Sequence, residues 1–357
     1  SATGARILFT EDARAFANSA HVFEVAPNAA YDNTPTKDLE DLVDPGFFPS
    51  WKINGAHFKV DPRITPGIER ASAWTGWFND DPKDPTNPNP PLCEEMVYYH
   101  LQEARKKAIA GGAEKDLKKH DPLFFNHWKL PKCGRFAANS EAEKACECFH
   151  TSNGWFDPAD TSLNFAATNV GLSGRHTAYD ASFVDHEFGH FVHKMLSEHN
   201  WLGFKNLNDK HQALSVGEAF SDVFSCSVLG VHKWAEWSAA KTKGCDGTAP
   251  EKDMSRDLEV LKTMADVGNL ADTHERGRAF SSGLWKMRSD GTFSGDVLIK
   301  TLIAGMRMAP LPCHFRNSVI SFMAADQMLS SSPHTQRIFD RFKSQGILAT
   351  MKTSATP

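Results

Sequence analysis

Residues 180–196 read DASFVDHEFGHFVHKML. Two periodicities are superposed in this stretch. Val184, Phe188, Phe191 and Met195 are spaced four, three and four apart, the apolar stripe of one helix. His186 and His190 are four apart, so they are separated by about 40° around a helix axis, roughly opposite the stripe. Their imidazoles can converge on one ion, and zinc accepts two nitrogens readily. Glu187 follows the first histidine. At that spacing it projects beside a metal rather than onto it, where it can take a proton from a water. The expectation is a helix with one face for a core and another for a zinc site.

The stretch alone leaves the third ligand open. A His-x-x-Gly-x-x-His continuation needs Gly at 193 and His at 196. The chain has His193 and Leu196 there, which excludes that class. The downstream candidates are His193, His199, His211, Glu218 and Asp222. His193 is one turn beyond His190 and reads as a flanking residue. His199 falls near the helix end, where a histidine serves the helix dipole. Glu218 and Asp222 lie four apart in ALSVGEAFSDVFSCSVLG (213–230), among Val216, Phe220, Val223 and Phe224. Two carboxylates on an apolar helix are costly to bury unless they are paired. If Glu218 binds the metal, Asp222 can accept the second ring N–H of a ligand histidine.

Outward from this stretch the chain changes character. Short β-type runs stand at 5–10 (ARILFT), 20–25 (AHVFEV) and 57–62 (HFKVDP). Residues 79–91, NDDPKDPTNPNPP, read as a loop, because prolines remove donors and bias their predecessors away from helix. A helix is expected over 93–112, stopped by Gly111-Gly112. Residues 120–178 return to loops and short strands. Further helices are expected at 214–229, 274–288, 315–329 and 333–345, the last with Ser332 as its cap, Pro333 in its first turn and Gly346 past its end. The fold class expected is α+β, in two lobes. A β-rich lobe over 1–199 ends in the His-Glu-x-x-His helix, and a helical lobe over 200–357 carries Glu218 and His274, with the zinc helix at the seam.

The bulk numbers exclude several partners. Of 357 residues, 41% are hydrophobic and 23% charged, and the net charge is −5. No block of Lys or Arg offers a surface for nucleic acid or an anionic membrane. No apolar run reaches the roughly 18–20 residues of a membrane span. Seven cysteines are present. Several, Cys313 among them, sit in Gly-, Pro- or Lys-rich segments that suit surface disulfides in an exported protein. Cys226 lies in an apolar segment and reads as the buried odd thiol. Acidic loops at 38–44 and 79–84 lack the EF-hand pattern, and read as solvated loops before they read as calcium sites.

The two metal segments together, HEFGH (186–190) and GEAFSD (217–222), resemble those of the Glu-zincin metallopeptidases of the thermolysin and fungalysin type. Three further stretches resemble that group. CEEMVYYHLQEARKKAI (93–109) is similar to its helix before the site. NGWFDP (153–158) is similar to its edge strand, and DTHERGRAFSSGLWKMR (272–288) to its later helix. The likeness covers about residues 90–345.

The resemblance implies zinc held by His186, His190 and Glu218, with Glu187 as general base and Asp222 orienting a ligand histidine. His274 would donate to the oxyanion, oriented by Asp272 or by Asp266. Asn153 and the backbone at Gly154 would pair with an extended peptide. It further implies a secreted endopeptidase acting on peptide or protein substrates, with monomer as the default state. A zinc peptidase of narrower specificity, an aminopeptidase or a modified-peptide hydrolase, shares the same constellation. A non-catalytic binding protein on this scaffold is the third reading. The group's oxyanion tyrosine has no counterpart between His190 and His274, and Tyr179 is the nearest tyrosine before the helix. Its substrate-carbonyl arginine has only Arg276 and Arg278 as candidates.

Overall fold

A computed structural model describes residues 19–26, 35–41, 55–60, 90–126, 154–165, 177–197, 207–238, 254–268, 272–310, 313–331 and 333–348. Its elements are β1 (Ser19–His21), β2 (Thr36–Asp38), β3 (Phe58–Val60), α1 (Pro90–Ala110), α2 (Glu114–Leu117), β4 (Leu123–Asn126), β5 (Gly154–Asp157), β6 (Ser162–Phe165), α3 (Ala181–Ser197) and α4 (Leu207–Leu229). They continue as β7 (Lys233–Trp234), β8 (Arg256–Asp257), α5 (Met264–Val267), α6 (Thr273–Ser289), α7 (Gly295–Met308), α8 (Phe315–Leu329) and α9 (Thr335–Ser344). The described residues are mixed α/β and mostly helical. No helix among the described residues is long and apolar enough to cross a membrane.

Chain contacts group the residues into two units that interleave along the sequence. One holds 1–103, 120–184 and 237–254; the other holds 104–119, 185–236 and 255–357. Within α3 the two units part between residues 184 and 185.

The first unit carries a four-stranded sheet in the order β3-β4-β6-β5. β3 pairs parallel to β4, β4 parallel to β6, and β5 antiparallel to β6, which leaves β5 as an edge strand. The strands are three or four residues long, so among the described residues this sheet is small. Tyr98 packs edge-on against Phe58 and donates from its hydroxyl to the Glu40 carbonyl at 2.8 Å. A Cβ at Gly55 would collide with the Tyr98 hydroxyl, which accounts for glycine there.

At the entry to α3, one carboxylate makes the turn. Asp180 Oδ1 accepts from the Ser182 backbone N–H and Oγ, and Oδ2 accepts from the N–H and Oγ of Ser238. Burial pushes the Asp180 carboxyl above its ordinary range, against the pull of these four donors.

The second unit is helical. Phe220, Phe224, Phe280, Phe322 and Phe342 are among its fully buried side chains. α4 and α6 pack closely where Gly277 meets the backbone of α4: a Cβ at 277 would lie 2.7 Å from the Ser215 carbonyl oxygen. α7 has no counterpart among the helices expected from the sequence. Ser294 caps it by accepting from the Val297 N–H, and Leu298, Ile299, Leu302, Ile303 and Met306 form its buried face. At α9 the residue in the cap position is His334, whose side chain makes no capping bond; the expected cap, Ser332, lies outside the described residues.

Cys226 is buried, as its apolar surroundings suggest. Cys313 corrects the surface-disulfide expectation: it is also buried and free, with Sγ 3.0 Å from Ser318 Oγ. The expected strand at 5–10 and the calcium loop at 79–84 lie outside the described residues, as does part of the one at 38–44.

Candidate metal centre

The apolar stripe of α3 is buried at Val184, Phe188 and Phe191, and Phe188 packs on Phe224 of α4 with ring centroids 6.2 Å apart. The chemical face is buried too. His186, Glu187 and His190 are 2%, 4% and 8% exposed. α3 therefore has no solvated side along this stretch. Gly189 allows this: a Cβ there would lie 2.8 Å from Ser221 Cα, so α3 and α4 approach backbone to backbone.

That approach brings Glu218 to the histidines. Glu218 Oε2 lies 3.3 Å from His186 Nε2 and 3.5 Å from His190 Nε2. His186, His190 and Glu218 form a group that could hold a metal ion, with one donor atom from each within 4.8 Å of the others. His193 is not part of it. Its ring is buried against Phe220, with centroids 5.4 Å apart. His211 and Asp222 are also outside the group, and His199 is outside the described residues.

The donors fit an ion on two counts. First, a tetrahedral ion with bonds of about 2.0–2.1 Å holds neighbouring donors about 3.3–3.4 Å apart, and the two spacings are close to that value. Second, His186 Nδ1 faces Asp222 Oδ1 at 3.0 Å. An ionised carboxylate only accepts, so a His186 that binds metal through Nε2 would carry its ring proton on Nδ1, toward Asp222. Its Nε2 would then face a Glu218 oxygen that is buried without a hydrogen bond, the place an ion would fill. Burial works to raise the Glu218 carboxyl, but His274, His190 and His186 outweigh it and hold Glu218 well below the ordinary carboxylate value.

His274 stands at the rim. Its side chain is 49% exposed, and its Nε2 lies 3.4 Å from Glu218 Oε2. Asp272 is the N-cap of α6, and its Oδ1 serves two groups. It accepts from the His274 backbone N–H at 2.9 Å and lies 2.9 Å from His274 Nδ1. The cap that starts the helix therefore also orients the ring. The Glu218 carboxylate, and then Asp272, raise the His274 imidazole above its ordinary value against burial and Arg256. The bond to His274 draws Asp272 down to about 2. Asp266, the competing partner, is instead engaged in a capping box with Thr263 at the start of α5.

No family model matches the chain, and no curated protein does.

Two residues of the centre carry no flag in the sequence. Arg256, in β8, grips Asp222 with two hydrogen bonds, Nε to Oδ2 at 2.8 Å and Nη2 to Oδ1 at 2.6 Å. Burial pushes the Asp222 carboxyl up, but the guanidinium and His186 outweigh it and hold it below its ordinary range. Trp234, in β7, pairs across the strands with Arg256. The Arg256 Cζ lies 3.5 Å from the Trp234 ring centroid, and a second neighbour of that indole is His186, with centroids 4.9 Å apart. The available signal is indirect: two buried carboxylates on α4 require a nearby cation, but nothing in the sequence says which of the arginines supplies it. Arg278, a candidate from the resemblance, is instead paired with Glu275 at 3.1 Å, one turn away on its own helix.

Of the expected peptide-pairing residues, Gly154 begins the edge strand β5, where Phe183 lies 2.7 Å from the position of an added Cβ. Asn153 lies outside the described residues. Tyr179 is 4% exposed, with its ring edge-on to Phe23.

Proposed function

We propose that this chain is a zinc-dependent peptidase that cleaves internal peptide bonds with a water molecule. The observation that carries the reading is the meeting of His186 Nε2 and His190 Nε2 at one oxygen of Glu218, at 3.3 and 3.5 Å, in a buried setting. Two imidazoles and one carboxylate are the donor set of hydrolytic zinc sites that keep a fourth position open.

Zinc held there would supply a Lewis acid that acidifies water and polarises a carbonyl. The remaining work falls to the chain's own side chains. Asp222, 3.0 Å from His186 Nδ1, favours the tautomer in which Nε2 offers its lone pair. Glu187, adjacent to His186 and 4% exposed, is the general base: its carboxylate takes a proton from the attacking water and delivers it to the leaving amine. His274, with its Nδ1 held by Asp272, offers Nε2–H toward the oxygen on which negative charge develops.

The test is Glu187→Gln. Metal content is measured beside cleavage of casein and of a peptide library read by mass spectrometry. The expected result is one zinc per chain in both proteins, with turnover reduced by about 10²–10⁴ in the variant. Undiminished activity would remove Glu187 from the role of base. A zinc-loaded wild-type chain that cleaves nothing would make this a binding protein.

A further inference from the structure

Asp222, Arg256, Trp234 and His186 form a closed cycle. Asp222 touches His186 and Arg256, Arg256 stacks on Trp234, and Trp234 packs on His186. All four are buried, with exposures of 0%, 4%, 5% and 2%. We propose that Trp234 is a positioning residue of the metal centre, whose indole holds the His186 ring and the Arg256–Asp222 pair in register. It thereby sets the geometry and lifetime of the bound ion.

The plain alternative is that Trp234 merely fills space. Three observations argue for more. The Asp222 contact to His186 Nδ1 lies off the line of a straight hydrogen bond, so it does not by itself fix the tilt of the imidazole. The indole supplies the second constraint, its plane tilted 48° to the imidazole with centroids 4.9 Å apart. Toward Arg256, the guanidinium lies close enough over the indole to place Cζ 3.5 Å from the centroid. From that position Nε and Nη2 reach both oxygens of Asp222. A cation over an indole face is attracted by the ring quadrupole, and more so when buried. An aliphatic side chain of similar bulk would fill the volume but offer no face to either neighbour. Partners of this kind, one contact behind the ligands, change metal affinity by about 10–100-fold when removed.

This inference rests on the metal reading above. The test uses the full chain loaded with cobalt(II) in wild type, Trp234→Leu and Trp234→Phe. The visible ligand-field bands and the rate of cobalt loss to excess chelator are recorded, with melting of the metal-free proteins as a fold control. In Trp234→Leu, cobalt is expected to leave at least about tenfold faster, with displaced bands. Trp234→Phe, which keeps a ring face, is expected to restore the bands and most of the lifetime. Wild-type bands and rate in Trp234→Leu would overturn the proposal, as would a Phe variant no better than Leu. If Trp234→Leu does not fold, fluorotryptophan-labelled wild type decides. The resonance missing from Trp234→Phe must shift when zinc is added, and a stationary resonance overturns the role. A wild-type chain that takes up no metal overturns the metal reading itself, and this inference with it.

Discussion

Asp222 connects the electrostatics of the centre to its stability. It is fully buried and shared between Arg256 and His186. Replacing it with Ala leaves a buried guanidinium without its partner, a loss of about 3–5 kcal/mol. Replacing both, with Asp222→Leu and Arg256→Met, exchanges the pair for apolar groups and is expected to recover most of that loss, although the metal would then be held less well. Urea midpoints of the metal-free proteins check both. The pH dependence has a defined sign. The folded carboxyl lies below its ordinary value, so its contribution is fully present above the unfolded value of about 3.9 and is lost as pH falls through the depressed one. The Asp222→Leu/Arg256→Met protein should therefore lose less stability than wild type on acidification. Under the proposed peptidase reading, His274 belongs to the chemistry instead. His274→Ala is expected to lower kcat by about 10²–10³ with little change in KM, and Asp272→Asn to act in the same direction through the ring it orients. Steady-state kinetics on one peptide separates these from Glu187→Gln. At this scale the sequence is most legible for the ligands, because spacing on a helix states which side chains share a face. Arg256 and Trp234 are illegible, because a two-stranded pairing across a connection from residue 234 to 256 carries no short-range pattern.

Elements show the same contrast. α3 is readable because apolar and chemical residues recur at helical spacing, and α6, α8 and α9 fall within two residues of their expected ends. α4 begins at Leu207 rather than 214, since its first two turns are polar and present no stripe. α7 is absent from the expected helices although its buried residues recur at helical spacing and Ser294 caps it. Its β-branched residues and Gly305 weaken local helix propensity, so packing decides it: a Cβ at 305 would sit 3.0 Å from the Phe322 Cα in α8. The glycines of the metal helices give a prediction with an internal control. Gly189→Ala places a methyl 2.8 Å from Ser221 Cα, and backbone does not move aside as a side chain does. The expected loss is about 1–3 kcal/mol, with α3 and α4 forced apart and metal affinity lowered. At Gly217 the nearest atom to such a methyl is His193 Nδ1 at 3.5 Å, an ordinary contact. Gly217→Ala should be neutral, or stabilising by up to about 1 kcal/mol through helix propensity. Denaturant midpoints and zinc titration of the two variants test whether the close approach, rather than glycine itself, is required.

For the molecule as a whole, the two units interleave along the sequence. Residues 104–119, the end of α1 with α2, group with the C-terminal helices through contacts such as Lys107 to Asp296 at 2.9 Å and Arg307 to Asp116 at 2.6 Å. No local signal announces a segment that packs with helices nearly 200 residues later. The metal group, by contrast, lies within one unit, since His186, His190 and Glu218 all fall in 185–236. This makes metal removal a measurement of that unit's stability. An ion that binds the folded chain and not the unfolded one adds about 2.7 kcal/mol when present at about 100 times its Kd. Chelation should therefore lower the melting temperature, and added zinc should restore it in proportion to the logarithm of its concentration. Imidazoles bind metal only when neutral, so the stabilisation should shrink as pH falls, while Glu218, held well below its ordinary value, remains ionised. Hydrogen exchange locates the effect. Protection on zinc addition is expected to rise in α3 and α4, which supply all three donors, and at the start of α6, where His274 meets Glu218. A zinc-dependent rise confined to other segments would place the ion elsewhere in the chain.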